Sequence, residues 1–265
     1  MSVYPAALPT VRPAVRSAFE QGSGGGAASI IAGLFAQGQQ GFWLPFTDFA
    51  SLSQDSAGTL PYTALEQPVG RVLDRSGRGN HASQPTSTAR GKVSAAVVSP
   101  PTRPYYLRLD GTDDFYTCGG GGSTTGFYYS DVIRPTTSTF SALLDDATAG
   151  GGYLVQRTNT GIHFSAKAGA AVTSVSLPLA ANVQAFVLAM DDGVDLTLQV
   201  NSAQVSVARP VVTAGASTMY LGRYTTVAQY FSGTMTEPIY RAGPPPSAYE
   251  REVIRNYQSQ KAGML

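Results

Sequence analysis

From Gly41 onward, apolar and aromatic residues come in short runs separated by turn residues, the pattern of an antiparallel sheet protein. Leu196-Thr197-Leu198-Gln199-Val200 alternates strictly, which places Leu196, Leu198 and Val200 on one buried face and Thr197 and Gln199 on a wet one. The pattern predicts strands over Gly41–Pro45, Tyr105–Leu109, Gly126–Ile133, Thr139–Leu144, Tyr153–Arg157, Ile162–Lys167, Val172–Leu177, Ala185–Asp191, Asp195–Asn201, Ala203–Val207, Met219–Gly222 and Gly233–Tyr240. These are enough for two packed sheets. Asp191-Asp192-Gly193 and Asn159-Thr160-Gly161 supply the residues that tight hairpins need between such runs. Only the tail reads as helix: Pro244-Pro245-Pro246 stops the sheet, Ser247 and Glu250 form a capping box, Tyr249, Val253 and Tyr257 line one side, and Lys261 and Gly263 close it. No fixed-period repeat is present, which argues against propellers and solenoids.

The first forty residues differ. Pro5, Pro9 and Pro13 break any early helix, Val15 to Gln21 suffices for a turn or two of helix, and Ser23 to Gly26 is a flexible link. The apolar run Ala27 to Ala36 is far shorter than the roughly 20 residues a membrane span requires. It also begins late for a signal peptide and lacks a small-x-small site after it. Residues 1–40 therefore read as an arm in front of a single domain, residues 41–265. The arm carries Tyr4, Val11, Val15, Phe19, Ile30, Ile31, Leu34 and Phe35, and its Pro and Gly content denies it a core of its own. The expectation is that these side chains dock on another protein or on sister subunits.

Composition narrows the chemistry. With 18 Lys+Arg against 17 Asp+Glu there is no positive excess to neutralise a run of phosphates, which argues against nucleic acid as the main partner. Cys118 is the single cysteine and there are 2 histidines, His81 and His163, so neither an intrachain disulfide nor a Cys/His zinc site can be assembled. A glycosidase needs two carboxyl groups about 5 to 9.5 Å apart. Glu20 lies in the arm, Glu66 in a loop, Glu250 and Glu252 in the helix, and Glu237 stands alone in its strand, so no catalytic pair is expected and the chain reads as a non-enzyme. The pairs Asp113-Asp114, Asp145-Asp146 and Asp191-Asp192 each fall at turns, where Asp bonds the following backbone, so neither a metal nor a cofactor is expected. No G-x-S-x-G occurs, Gly119 to Gly122 lacks the Lys-Ser/Thr of a phosphate loop, and Cys118 reads as a packed residue.

Two ordered motifs resemble a known family. Asp74-Arg75-Ser76-Gly77-Arg78-Gly79-Asn80-His81 looks like the D-x-S-G-x-G-N-H segment of concanavalin A-like (LamG-type) jelly-roll domains, and Leu107-Arg108-Leu109-Asp110-Gly111-Thr112-Asp113-Asp114-Phe115 is similar to the strand and turn that follow it. Phe231 to Tyr240 and the helix from Ser247 to Gly263 resemble the family's last long strand and closing helix. Arg90-Gly91 departs from the usual Arg-Pro, and Leu109 from the usual Phe. The segment from Trp43, Phe46 and Asp48 through Gln54-Asp55-Ser56-Ala57-Gly58-Thr59 to Gln67-Pro68-Val69-Gly70 is most similar to versions found in virion and tail-associated proteins of tailed bacteriophages.

The resemblance implies an all-β fold, a two-sheet antiparallel β-sandwich of the concanavalin A-like jelly-roll type with a short C-terminal helix. It further implies a non-enzymatic virion structural protein, made in the host cytoplasm and assembled with other virion proteins through its arm, with a trimer favoured. The alternative is a carbohydrate-binding receptor module of a tail fibre, with Tyr105, Tyr106, Tyr128 and Tyr129 as candidate sugar-stacking residues. A polysaccharide-degrading enzyme is the third reading, opposed by the carboxylate count.

Overall fold

The computed structural model describes residues 25–95, 104–148, 150–225 and 227–265. Two antiparallel sheets of nine strands each pack face to face. Across the front sheet the order is Ala203–Ala208, Asp195–Val200, Ala185–Asp191, Phe127–Pro135, Ser232–Met235, Tyr105–Asp110 and Lys92–Ala95, with Ile239–Ala242 and Gly41–Trp43 added beside Phe127–Pro135. The back sheet runs from Ala171–Pro178 through Gly161–Ala168, Gly151–Arg157, Ser141–Asp145, Met219–Leu221 and Tyr116–Cys118 to three two-residue strands at its edge. Between the sheets lies one apolar core that includes Leu107, Leu109, Tyr129, Tyr153, Phe164, Leu196, Leu198 and Tyr240. Phe127 stacks on Tyr153 at 4.6 Å and on Phe164 at 5.2 Å, which ties the two sheets at their centre.

The expected hairpins form. Ala185–Asp191 pairs with Asp195–Val200 around Gly193, whose φ of 90° explains the glycine, and Gly151–Arg157 pairs with Gly161–Ala168. Leu52–Ser53, Arg71–Val72, Ala82–Ser83, Lys92–Ala95 and Tyr116–Cys118 are strands that the pattern does not announce. They are too short, or too polar, for periodicity to register, and their pairing follows from neighbours already in place. The single strand expected over Gly233–Tyr240 is two, Ser232–Met235 and Ile239–Ala242. At the break, Asp131 Oδ1 accepts the backbone N–H groups of Thr236 (3.2 Å) and Glu237 (2.8 Å), standing in for a strand partner, while Pro238 has no N–H to offer.

Unlike most sandwich faces, the outer side of the front sheet is apolar over half its width and is covered by helices. Gly25–Gly33 and the turn after it bring Ile31, Leu34 and Phe35 onto Trp43, Tyr128, Val132, Phe186, Leu188, Met190 and Ile239, together with Ile254 and Ala262 of the C-terminal helix Ala248–Lys261. Arg78 Nη2 donates to the Phe35 carbonyl at 2.6 Å and fixes this turn. The docking expectation is thereby corrected for Ile31, Leu34 and Phe35, which are buried in the chain's own cover; Ile30 is half-buried beside them. Tyr4, Val11, Val15 and Phe19 lie outside the described residues.

The C-terminal helix carries the expected capping box, Ser247 N donating to Glu250 Oε2 at 2.7 Å and Glu250 N to Ser247 Oγ at 3.3 Å. Its buried stripe is rotated from the expected one: Val253, Ile254 and Gln258 face inward and Tyr249 is 52% exposed. One buried acid, Glu237, and one buried amide, Gln258, explain the rotation. Glu237, wholly buried, accepts Trp43 Nε1 at 2.5 Å, Tyr257 OH at 2.8 Å and Thr47 Oγ1 at 3.2 Å, and burial pushes its carboxyl up. Gln258 Nε2 donates to the carbonyls of Glu237 (2.6 Å) and Ser130 (3.0 Å), so the inward position goes to residues that reach polar partners.

If residues 25–40 serve as cover, a chain beginning at Gly41 will lose several kcal/mol of stability and bind a hydrophobic dye, whereas a chain beginning at Gly25 will match the full chain in thermal unfolding. Equal stability of all three would refute the covering role.

Asp131 generates a pH dependence. Burial pushes its carboxyl up to about 8, against the pull of the backbone N–H groups of Glu237, Val132 and Thr236. Below the ordinary Asp value of about 3.9 both folded and unfolded chains carry the proton; between there and about 8 only the folded chain does, so stability falls as pH rises, by up to about 1.4 kcal/mol per unit, and levels off above. In Asp131→Asn the amide replaces the protonated carboxyl and this contribution disappears. Urea midpoints at acidic and mildly basic pH will drop more for the natural chain than for the variant; an equal drop would exclude Asp131 as the cause.

Candidate functional site

The D-x-S-G-x-G-N-H motif is structural. Asp74 Oδ1 accepts Trp43 N (2.9 Å) and Ser76 N (2.8 Å), and its Oδ2 accepts Ser76 Oγ (2.7 Å) and Asn80 N (3.0 Å). Asn80 Nδ2 donates to the Gly41 carbonyl at 2.7 Å, so the turn clips the strand Gly41–Trp43 in place. His81 Nδ1 accepts Asp74 N at 2.9 Å, and burial and then Arg71 keep its pKa low, which leaves a neutral positioning ring. Cys118 is buried between the sheets, its thiol pushed well up by that burial.

The Asp pairs divide. Asp145 is bonded to Ala147 N and to Thr225 N and Oγ1, Asp146 to Tyr153 N and Gly122 N, and Asp191 to Tyr153 OH at 2.6 Å and Arg209 Nε at 2.8 Å, so all three are consumed by the fold. Asp110, Asp113 and Asp114 bring carboxylate oxygens within 4.8 Å of one another at the turn after Tyr105–Asp110. Asp114 is pushed up to about 6, by burial first, while its bond from Asp110 N pulls the other way.

Of the four candidate sugar-stacking tyrosines, Tyr128 and Tyr129 are wholly buried and cannot touch a ligand. Their strand, Phe127–Pro135, is covered on both sides, Tyr129 by the sandwich core and Tyr128 by the helical layer. Tyr105 borders a cleft, but its ring packs on Phe49 at 5.3 Å, on the side of Leu107 and Leu109. Tyr106, one residue on, faces the other way and donates its hydroxyl to the Ala95 carbonyl at 3.3 Å.

Tyr106 opens onto a cleft of about 440 Å³ at the edge of the helical layer, where no described helix covers the front sheet's outer face. Its floor is Thr234 and Thr236, its far side Arg134 with Asn182 and Gln184, and its wall the end of the C-terminal helix at Ala262 and Gly263. Gln184 Nε2 donates to the Ala262 carbonyl at 2.9 Å and holds that wall. Arg134 Nε donates to the Asn182 carbonyl at 3.1 Å, and Asn182, at a φ of 62°, is tied by its N–H to the Pro135 carbonyl at 2.7 Å. Thr236 is 2% exposed, yet its hydroxyl lines the cleft without a partner among the described residues. None of the residues lining the cleft is Asp or Glu. Apart from Tyr105 and Tyr106, sequence reading missed this site: Arg134, Asn182, Thr234 and Thr236 stand singly in segments that have no motif, and only their registers across the sheet bring them together.

A second aromatic group lies near the loop 222–230. Arg223 sits over Phe115 (4.8 Å), Tyr220 (5.5 Å) and Tyr230 (5.8 Å), so a cation already occupies ring faces that a sugar would need. Among the described residues no helix is long and apolar enough to cross a membrane.

No family model matches the chain, and no curated protein matches it. Solved structures do match in fold. The botulinum neurotoxin serotype D ligand binding domain in complex with N-acetylneuraminic acid aligns with a TM-score of 0.55 at 10% identity over 88% of this chain and 52% of that chain. A GH54 α-L-arabinofuranosidase soaked with a cyclic sulfate inhibitor aligns with a TM-score of 0.60 at 12% identity over 87% and 65%. The binding domain of Paraclostridial Mosquitocidal Protein 1 aligns with a TM-score of 0.53 at 13% identity over 71% and 49%. The chain thus spans about half to two thirds of the length of these neighbours. At such identities the likeness establishes the architecture, a two-sheet antiparallel β-sandwich, as expected from the sequence.

Proposed function

We propose that this chain is a carbohydrate-binding β-sandwich module that performs no catalysis, and that its sugar site is the cleft beside Tyr106. The observation that carries the reading is the cleft's lining: the Tyr106 ring next to hydroxyl and amide groups at Thr234, Thr236, Asn182 and Gln184, with no carboxyl group among the described lining residues. A ring face packs on the apolar side of a pyranose while hydroxyls and amides bond its edges. Glycoside hydrolysis requires an acid and a base at the bond. Glu237, at the break between Ser232–Met235 and Ile239–Ala242, is sealed under the helix by Trp43 and Tyr257 and cannot reach a ligand. The shared fold with a domain crystallised with N-acetylneuraminic acid supports a sugar ligand; the arabinofuranosidase keeps hydrolysis as the rival. Placement in a tailed-phage virion as a trimer, with Tyr4, Val11, Val15 and Phe19 as attachment anchors, rests on the motif resemblance alone, and co-purification with particles at fixed stoichiometry tests it.

On a glycan array followed by calorimetry, the full chain will bind a defined set of glycans. Tyr106→Ala and Thr236→Val will weaken binding about tenfold or more, whereas Tyr128→Phe and Phe140→Ser will leave it unchanged. Binding that survives Tyr106→Ala would place the site elsewhere, and release of reducing sugar would overturn the non-catalytic reading.

A further inference from the structure

The inference rests on the sugar-binding reading of the Tyr106 cleft and concerns the chemistry of the sugar. Strand registers place four residues in one row across the front sheet: Lys92 opposite Arg108, Arg108 opposite Thr234, and Thr234 opposite Arg134. Each is flanked along its strand by buried residues, Val93 beside Lys92, Leu107 and Leu109 beside Arg108, Ile133 and Pro135 beside Arg134, so all four side chains stand on the outer face. With neighbouring strands about 4.8 Å apart, the row extends roughly 14 Å from the cleft toward the sheet edge.

The charges in this row are only partly compensated. Arg108 Nη2 meets Glu66 Oε2 at 3.0 Å, with both side chains 53% exposed. Glu66 also accepts the Ser94 hydroxyl, held there in a left-handed backbone conformation at a φ of 64°. Arg134 and Lys92 have no carboxylate partner among the described residues. Asp110 and the Asp113-Asp114 pair lie beyond Arg108 at the turn, where Lys92 acts on Asp114 through space. Arg134 is also preset: its Nε is committed to the Asn182 carbonyl, which leaves the two Nη groups for the cleft, a fork shaped for a carboxylate or sulfate. Beside it Thr236 lines the same cleft, its hydroxyl without a partner among the described residues.

The geometry points to an anionic oligosaccharide as the ligand, one carrying carboxylate or sulfate groups, with one anionic group on Arg134, a ring against Tyr106 and the chain running across the strands toward Arg108 and Lys92. Neutral glycans lack the group that the free guanidinium edge would take, and would leave it solvated but unused.

The test compares an oligogalacturonate, a heparin-derived oligosaccharide and a neutral galactose oligomer of matched length, with polyglutamate as a non-sugar polyanion, against the full chain and the variants Arg134→Ala, Arg134→Lys, Lys92→Ala and Tyr106→Ala, each checked for folding by circular dichroism. The expected result is about tenfold or greater preference for one acidic sugar over the neutral one, weakening as salt is raised from about 50 to about 300 mM. Arg134→Ala will abolish the preference, Arg134→Lys will restore part of it, and Tyr106→Ala will weaken the acidic and neutral sugars alike. The oligogalacturonate and heparin arms distinguish carboxylate from sulfate. Equal binding of the neutral oligomer that is insensitive to Arg134→Ala overturns the acidic-sugar inference and leaves the sugar-binding reading intact. Binding of polyglutamate as tight as that of the sugars, or no binding to any glycan, overturns both.

Discussion

The Glu237 carboxylate holds together three parts of the chain that are remote in sequence. It is wholly buried, and it receives the Trp43 indole from the first strand, Thr47 from the loop that follows and the Tyr257 phenol from the C-terminal helix. Burying such a group is costly unless its oxygens are bonded, so once Glu237 lies at the break between Ser232–Met235 and Ile239–Ala242 its donors have little freedom to be elsewhere. The helix is pinned by Tyr257 and by Gln258, and together with Gly25–Gly33 it covers Phe127–Pro135 and its neighbours in the front sheet. Where it ends, at Ala262 and Gly263, it leaves bare the strip that forms the cleft. The cleft is thus a by-product of the length and placing of a structural helix.

The same division explains which polar groups are available for chemistry. Under the helices and between the sheets, carboxyls are kept protonated by burial, as in Asp131, or consumed by backbone and side-chain donors, as in Asp145 and Asp191. Beyond the helix end, the outer face becomes basic and hydroxylic. The outer face of one sheet is thus apolar where the helices pack and polar, with Lys92, Arg108 and Arg134, beyond them.

Much of the architecture was legible in the sequence because period-two alternation and Gly-bearing turns survive wherever a strand has one wet face, as along Asp195–Val200. The three edge strands of two residues carry no period at all, and the break at Thr236–Pro238 depends on Asp131, more than a hundred residues away. Tyrosines mislead for a related reason. Tyr105, Tyr106, Tyr128 and Tyr129 look alike on paper, and only the helical cover and the strand's place in the sheet decide that Tyr128 is buried and Tyr106 faces the cleft. The cleft's remaining residues are assembled by register across strands, which no local window contains.

Cys118 has a use of a different kind. It is the chain's single thiol and is enclosed between the two sheets, where burial also suppresses its ionisation. A thiol-reactive label would therefore find nothing to modify until the sheets part, and the pace of labelling would clock the opening of the sandwich with no surface background. Ligand bound in the cleft, on the opposite side of the front sheet from that sulfur, would register as a slower clock wherever it stabilises the closed form.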